Sequence, residues 1–353
     1  MYPDIKYSEL EEKLKSDDYV LIDVRTPKEY AQETIPGAIN VPLFSNEERE
    51  IVGTAYKQQS VDEAKMLGVE AVSKRLPEMF KTLLEINKKH QHLVFFCARG
   101  GFRSASIVAF LKSLKISALK LDGGYKSYRT YVIEKLPEVT KDIELVVLYG
   151  NTGTGKTQVL EALKRKGADV LDLEGCANHR GSTLGAVGLG EPNTQKMFES
   201  LLYDALKDKK TNLVFTEGES KRIGRSVIPE YIFDKIRGGI HVEITAPMDT
   251  RVENIVSDYV YDSDDDLIEA LNYLRKRLGS EKIDSYIERV KQDDYRSVAR
   301  DLMIEYYDPM YEHNPKNYVF QVENVDPERT AEILLEHFQV ESRKLKEKDS
   351  LLF

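Results

Sequence analysis

The second half of the chain is organised around one stretch, Gly150-Asn151-Thr152-Gly153-Thr154-Gly155-Lys156-Thr157. It fits the pattern G-x-x-x-x-G-K-[ST], in which glycines let the backbone close on phosphate groups without a Cβ in the way. The apolar run before it, 143–149, predicts a buried strand, and the apolar spacing over 158–166 predicts a helix. A strand, a tight turn and a helix bring backbone N–H groups and the positive helix end to one point. We therefore predict a phosphate-binding loop, with Lys156 on the terminal phosphates and Thr157 as a Mg²⁺ ligand.

A second loop suited to an anion lies earlier in the chain, at Cys97-Ala98-Arg99-Gly100-Gly101-Phe102-Arg103-Ser104. It follows a buried-strand pattern at 92–96 and leads into a helical pattern at 104–114. Backbone N–H groups, a helix N-terminus and two arginines all lower the pKa of a thiol and favour the nucleophilic thiolate. The predicted catalytic residues are Cys97, Arg99, Gly100, Gly101, Arg103 and Ser104.

Length and composition are those of a soluble globular protein. A chain of 353 residues suggests two domains. The sequence has no apolar run that could span a bilayer and no secretory signal, and its two cysteines, Cys97 and Cys176, lie far apart. We expect a cytoplasmic protein with reduced thiols and no membrane partner. The net charge of −9 argues against indiscriminate binding to nucleic acid.

Strands alternate with helices in both halves, which predicts the α/β class with parallel sheets. The first half also contains a helical pattern at 61–90, which we expect to break near Pro77. The domain boundaries that follow are an N-terminal parallel-sheet domain at 1–137, a linker at 138–144, a phosphate-loop α/β domain at 145–340 and a charged tail at 341–353.

Residues 248–310 predict a helical insertion in the second domain, in which basic residues such as Arg251 and Arg289 alternate with tyrosines such as Tyr286. Basic residues beside stackable aromatics suit a structured RNA. Acidic residues lie between them, so a salt-bridged helical surface explains the composition equally well.

Polar residues follow two further predicted strands of the second domain. A glycine-rich stretch comes after the strand at 168–173, and Glu217 ends the strand at 212–217, where phosphate-loop proteins place a carboxylate on the Mg²⁺ side. Ligands of α/β sheets bind at the carboxyl ends of the strands. The predicted substrate-binding residues are Asn178, His179, Arg180, Ser182, Glu217, Glu219 and Arg222.

The first domain resembles a rhodanese domain. The resemblance lies in Asp23-Val24-Arg25-Thr26-Pro27-Lys28-Glu29-Tyr30, the segment 37–42, the Cys97 loop and Asp122-Gly123-Gly124-Tyr125. It implies that the loop cysteine carries sulfur or selenium, whereas Asp23, Arg25 and Glu29 fix the sheet edge and a helix start. The C-x5-R spacing from Cys97 to Arg103 instead resembles cysteine-dependent phosphatases. Chalcogen transfer and phosphoester cleavage through a phosphocysteine both remain open, and a donor that is itself a phosphate satisfies both.

The two loops together are similar to the tRNA 2-selenouridine synthase family, as are the segments 174–182, 217–224 and 307–311. The resemblance implies that wobble 2-thiouridine of tRNA becomes 2-selenouridine through an S-geranyl intermediate. It implies geranyl diphosphate and selenophosphate as substrates, and selenophosphate synthetase as a partner. The diphosphate would occupy the phosphate loop with Mg²⁺, without a permanently bound cofactor, and Cys97 would accept or position selenium. The other candidates are a sulfurtransferase fused to a nucleotide-dependent kinase, a cysteine-dependent phosphatase-like enzyme, and a non-catalytic anion-binding module.

Overall fold

The computed structural model describes residues 4–181, 185, 187–259, 264–311 and 317–350. The chain divides into two compact units. Unit 1 comprises Met1–Glu138 and Lys196–Tyr203, and unit 2 comprises Val139–Gln195 and Asp204–Phe353.

Unit 1 is built on a five-stranded parallel sheet. Its strands are β1 (Asp4–Ile5), β2 (Tyr19–Asp23), β3 (Ile39–Asn40), β4 (His92–Phe96) and β5 (Ala118–Leu121), in the order β1-β5-β4-β2-β3. Its helices are α1 (Tyr7–Lys13), α2 (Pro27–Gln32), α3 (Asn46–Gln58), α4 (Val61–Lys89), α5 (Phe102–Ser113) and α6 (Gly124–Thr140). The central strand β4 is apolar and buried because helices cover both faces of a parallel sheet. Cys97 directly follows this strand.

Helix α4 corrects the expected break at Pro77, since it continues through this proline as one element of 29 residues. A proline inside a helix removes one backbone hydrogen bond, which packing elsewhere along the helix must offset. The buried residues Ala64 and Ala71 lie before Pro77, and Met79 and Leu83 lie after it. One continuous buried face therefore holds the two halves of the helix together.

The linker predicted at 138–144 overlaps the end of one helix and the start of the next strand. Helix α6 extends through Pro137 to Thr140, and the next strand begins at Glu144. Only residues 141–143 separate these elements, and unit 2 begins at Val139, inside α6.

Unit 2 contains a second five-stranded parallel sheet. Its strands are β6 (Glu144–Tyr149), β7 (Asp169–Leu171), β8 (Leu213–Glu217), β11 (Ile240–Thr245) and β12 (Phe320–Glu323), in the order β12-β11-β6-β8-β7, and β9 (Arg222–Ile223) and β10 (Ser226–Val227) form a separate antiparallel pair. The helices after α6 are α7 (Lys156–Arg165), α8 (Leu173–Ala177), α9 (Gln195–Leu206), α10 (Glu230–Gly238), α11 (Met248–Tyr259), α12 (Asp265–Tyr273), α13 (Arg275–Leu278), α14 (Ser280–Val290), α15 (Tyr295–Leu302), α16 (Asp308–Tyr311) and α17 (Pro327–Ser350). Two parallel sheets with interleaved helices confirm the α/β prediction.

The helical insertion expected at 248–310 is present as α11 to α16, with a π-helical turn at Met303–Tyr307. It has its own apolar core, which includes Leu271, Ile283 and Val290. The charged tail expected from 341 is helical to Ser350, because α17 continues that far. None of the helices in the described part of the chain is both long enough and apolar enough to cross a bilayer.

Candidate active sites

The Cys97 loop lies at the carboxyl end of the central strand of unit 1 and leads into α5. Gly100 adopts a left-handed backbone conformation with φ +63°, and Gly101 is the N-cap residue of the helix. The loop therefore folds back over the start of α5, where backbone N–H groups face the cysteine.

The thiol of Cys97 is buried, with 4% of the residue exposed, but its surroundings are polar at the sulfur. Sγ lies 3.3 Å from Ser104 Oγ. Burial by itself opposes ionisation. Hydrogen bonds from the Ser104 hydroxyl and from the backbone of Ser104 and Arg99, with the charge of Arg103, outweigh it and hold the pKa of Cys97 below its usual value. The structure thus supports a thiolate at the floor of the loop.

The two arginines of the loop have different environments. Arg103 forms a two-point ion pair with Glu29, with Nη1 2.6 Å from Oε2 and Nη2 3.2 Å from Oε1. Glu29 also caps α2 together with Thr26. Arg99 is exposed. Arg103 is consequently fixed beside the thiol by a residue that the sequence assigned only to the helix start.

Gly124 packs closely against the backbone of the Cys97 loop and is not among the predicted catalytic residues. The backbone N–H of Tyr125 donates to Cys97 O over 2.9 Å, and that of Lys126 donates to Ala98 O over 3.0 Å. A Cβ added to Gly124 would lie 2.2 Å from Cys97 O and 2.4 Å from Gly100 N. The Gly-Gly pair noted in the rhodanese-like motif is the signal that marks this close approach.

The phosphate loop of unit 2 follows the central strand β6 and ends at α7. Gly155 is the N-cap of this helix, with φ +80°. The Nζ atom of Lys156 lies inside the loop and donates to Gly150 O over 2.7 Å. Thr157, in the first turn of the helix, is exposed. A cation inside a ring of glycines at a helix N-terminus is an anion-binding arrangement.

Three side chains from distant parts of unit 2 hold the loop carbonyls in place. Arg251 Nε donates to Thr152 O over 2.9 Å, Asn254 Nδ2 to Gly153 O over 2.8 Å, and Asn324 Nδ2 to Thr154 O over 2.8 Å. Because the outward carbonyls are anchored, the amide N–H groups of the loop remain directed at the anion site. No motif in the sequence marks these three residues.

Arg251 is one of the basic residues of the insertion for which the sequence leaves an RNA contact and an ion pair equally open. The residue is buried, with 6% exposed, and it forms a two-point ion pair with Asp308. Ion pairs with neighbouring acids also hold Arg289, Arg300 and Lys282, and Tyr286 is buried. At these positions the structure has the ion pairs of the second interpretation, and an RNA contact by the insertion stays a prediction.

A cluster of acidic side chains lies at the carboxyl ends of β7 and β8. Glu217 pairs in register with Leu148 of β6, and its Oε1 accepts from the backbone N–H of Glu174 over 2.6 Å. Burial, followed by the charges of Asp172 and Glu174, raises the pKa of Glu217 well above its usual value. Burial and then the neighbouring Glu219 raise the pKa of Glu174 to about 8. The positive charge of Lys156 opposes this rise in the pKa of Glu174.

Glu217 retains one unused acceptor. Its Oε2 is buried, and no described group donates a hydrogen bond to it. Within the described residues, no three His, Cys, Asp or Glu side chains form a group that could hold a metal ion by themselves. Mg²⁺ in phosphate sites takes one or two protein oxygens and completes its shell with substrate phosphates and water. Glu217 and the Thr157 hydroxyl carry oxygen atoms of the kind that Mg²⁺ takes, and their role as Mg²⁺ ligands stays a prediction.

Among the other predicted substrate-binding residues, Asn178 and Arg180 bind the backbone of the following loop. Asn178 donates to the backbone of the following loop at Leu189 O and Glu191 O, and Arg180 donates to Val187 O. His179 is half-buried beside Gly224, and burial lowers its pKa. Asn178 and Arg180 thus shape the loop.

Gly181, in the glycine-rich stretch after β7, lies against the acidic cluster. A Cβ at Gly181 would lie 2.6 Å from Glu219 Oε2 and 2.8 Å from Glu174 Oε1. Arg222 is exposed on β9. The prediction for Ser182 falls outside the described residues. A binding role for these residues stays a prediction.

Both halves of the chain match known protein families. The family model described as tRNA 2-selenouridine synthase AAA domain matches residues 143–339, and the model of the rhodanese-like domain matches residues 6–131. A tRNA 2-selenouridine synthase of Pseudomonas syringae pv. syringae is 32% identical over 337 residues, covering 87% of this chain and 91% of its own. One from Hydrogenovibrio crunogenus is 36% identical over 327 residues, covering 83% of this chain and 88% of its own. The fold class expected of each half is thereby confirmed.

Proposed function

Since the chain belongs to the tRNA 2-selenouridine synthase family, we propose that its two anion-binding loops act in turn on the 2-thiouridine at the wobble position of tRNA. The phosphate loop directs alkylation of the sulfur by geranyl diphosphate, and the Cys97 loop directs its replacement by selenium from selenophosphate. The observation that carries this assignment is the presence of two differently equipped loops. One holds a lysine among glycines, and the other holds a thiol of lowered pKa.

In the first step, the sulfur of the base attacks the first carbon of the geranyl group. The carbon–oxygen bond to the diphosphate breaks, and the diphosphate leaves with the electron pair. Lys156 and the N–H groups of the loop stabilise the negative charge that develops on the leaving group. Mg²⁺ held by Thr157 and Glu217 would add to this stabilisation. No nucleotide is hydrolysed in this scheme.

In the second step, selenium displaces the alkylated sulfur at C2 of the base, and geranyl thiol leaves. The oxidation states of selenium and phosphorus decide which atom of selenophosphate the Cys97 thiolate can attack. If the thiolate took a neutral selenium atom, the donor would be left as phosphite. If the thiolate attacks phosphorus instead, an S–P bond forms, the P–Se bond breaks and hydrogen selenide is released without redox change. Water then hydrolyses the phosphocysteine to phosphate and the free thiol.

The C-x5-R spacing and the bond between Ser104 and the Cys97 sulfur support the attack on phosphorus, because both suit a tetrahedral phosphate group over a thiolate. We extend the proposal to the supply of substrate, which requires a selenophosphate-forming enzyme such as selenophosphate synthetase, and to a cytoplasmic location shared with tRNA.

The test is nucleoside analysis of tRNA that contains wobble 2-thiouridine after incubation with the protein. Geranyl diphosphate alone should give S-geranyl-2-thiouridine, and the later addition of selenophosphate should convert it to 2-selenouridine. Selenouridine formed without any prenyl diphosphate would contradict the order of steps. A Cys97 peptide trapped with the isotopic pattern of selenium, in place of a phosphate adduct, would contradict the attack on phosphorus.

A further inference from the structure

An apolar cavity adjoins the phosphate loop in unit 2. Its empty space, counting the part open to solvent, is about 520 Å³. It is lined by Thr152, Ile255, Val256, Leu267, Val290, Tyr295, Val298, Ala299, Leu302, Met303 and Tyr307. The lining comes from α11, α12, α14, α15 and the π-helical turn, and all of it apart from Thr152 belongs to the helical insertion.

Thr152 joins this cavity to the anion site. It is a member of the phosphate loop, and its carbonyl is anchored by Arg251 on α11, the helix that also supplies Ile255 and Val256 to the cavity. The apolar lining therefore meets the anion-binding loop at Thr152. This is the arrangement required by a ligand with a charged head and an apolar chain.

The lining is apolar apart from Thr152, Tyr295 and Tyr307, which disfavours a nucleoside. The hydroxyl of Tyr295 already donates to Asp264 and Asp293 at distances of 2.9 and 3.1 Å. A base and a ribose buried here would lose hydrogen bonds to water without gaining partners from the aliphatic side chains. A hydrocarbon chain has no such groups, and its transfer from water is favourable in proportion to the apolar area removed.

We propose that this cavity binds the hydrocarbon chain of a prenyl diphosphate whose head group occupies the phosphate loop. The assignment rests on the proposed function and names the part of the protein that selects the substrate. The first carbon of the chain then lies at the mouth of the cavity, next to the phosphate loop. The limited volume of the cavity makes it the determinant of chain length. Each five-carbon unit that it buries raises the affinity by more than about tenfold.

Calorimetric titration of the full-length protein with inorganic pyrophosphate, dimethylallyl diphosphate and geranyl diphosphate tests the assignment. The wild-type protein should bind geranyl diphosphate at least about 100-fold more tightly than pyrophosphate, with the five-carbon compound in between. Ala299→Phe fills the cavity, and it should reduce the affinity for geranyl diphosphate to that for pyrophosphate. Unchanged pyrophosphate binding shows that the variant is folded with an intact loop. Ala299→Leu fills less of the cavity, so its affinity for geranyl diphosphate should lie between those of the wild-type protein and Ala299→Phe.

Enlarging the cavity supplies an independent test. Val256→Ala should shift the preference toward the longer farnesyl diphosphate. The matched control is Val69→Ala on α4 in unit 1, where Val69 is 66% exposed and lies outside the cavity. It should leave the preference unchanged.

Equal affinities of the wild-type protein for geranyl diphosphate and pyrophosphate would overturn the assignment, as would a preference for geranyl diphosphate that survives Ala299→Phe. Failure of the proposed function gives a different result. A protein that binds geranyl diphosphate through the cavity but forms no S-geranyl tRNA would contradict the proposed reaction and leave the cavity assignment standing.

Discussion

Replacing Gly124 with alanine should displace the Cys97 loop and raise the pKa of its thiol. Gly124 has a left-handed backbone with φ +60°, and an added Cβ would lie 2.2 Å from Cys97 O and 2.4 Å from Gly100 N. Contacts this short with backbone atoms cannot be relieved by rotating a side chain. The loop and the Gly-Gly turn must therefore move apart.

The expected loss of stability has two parts. Alanine in the left-handed region costs about 1–2 kcal/mol relative to glycine. Separating the turn from the loop weakens or breaks the hydrogen bonds from Tyr125 N to Cys97 O and from Lys126 N to Ala98 O, each of which contributes about 0.5–1.5 kcal/mol. The free energy of unfolding should fall by about 2–5 kcal/mol.

Gly37 provides a matched control in the same unit. Its φ is +79°, yet nothing lies within 4 Å of an added Cβ. Gly37→Ala should therefore cost only the backbone strain of about 1–2 kcal/mol. The difference between the two variants isolates the clash with the loop.

Urea denaturation measures the stability of both variants, and the pH dependence of iodoacetamide alkylation, read by peptide mass spectrometry, measures the thiol. Cys176 should stay unreactive in the folded protein, because burial holds its pKa well above the usual value. Gly124→Ala should shift the alkylation of Cys97 to higher pH, whereas Gly37→Ala should leave it at the wild-type position. Identical stability and identical alkylation profiles in the two variants would refute the support that we assign to Gly124.

Three further perturbations have defined outcomes. Ser104→Ala removes the largest stabilising hydrogen bond of the Cys97 thiolate, so the alkylation midpoint should move to higher pH, while Ser106→Ala on the same helix should not move it. The pKa of Glu174 is raised from 4.5 to about 8, so the stability gained from its neutral form is complete below pH 4.5 and is lost as the pH rises through 8. Urea titrations across this range should give a free energy of unfolding that falls by up to about 1.4 kcal/mol per pH unit, and an unchanged slope in Glu174→Gln would contradict the assignment. Arg251→Ala leaves Asp308 unpaired and removes the hydrogen bond that anchors the phosphate loop at Thr152 O. The variant should lose about 3 kcal/mol of stability and bind pyrophosphate more weakly in calorimetry. Wild-type pyrophosphate binding would show that the anchor is dispensable.

The parts of the two sites that sequence could predict are those formed by consecutive residues. The Cys97 loop and the phosphate loop each consist of a strand end, a turn with glycines and a helix start, so the residues that form them are adjacent in the chain. Spacing rules for strands, turns and helices are local, and they apply directly to such segments.

The supports of these loops could not be predicted in the same way. Arg251 contacts Thr152 across 99 positions, and Asn324 contacts Thr154 across 170. The sequence identifies a positive charge at Arg251 but not its partner, which is why an RNA contact and an ion pair were equally consistent with it. Only the arrangement of the sheet and the insertion brings Asp308 to this guanidinium.

The same limit applies to buried carboxylates. The sequence predicts Glu217 and Glu219 only as polar residues that end or follow one strand, and it does not single out Glu174. The pKa values of Glu174 and Glu217 are raised because parallel strands end at one edge of a sheet and bury these two carboxylates close to each other and to Glu219. Helix α4 shows the same limit in another form. Pro77 predicts a break in the helix, but the packing of buried residues on both sides of it, which the sequence does not reveal, keeps the helix continuous.

The division of labour between the two loops is tested most directly by nucleoside analysis of tRNA treated with Cys97→Ala and with Lys156→Ala protein, each supplied with geranyl diphosphate and selenophosphate. The account predicts that the Cys97 variant accumulates S-geranyl-2-thiouridine without selenouridine, and that the Lys156 variant forms neither product. Loss of geranylation in the Cys97 variant, or normal geranylation in the Lys156 variant, would contradict it.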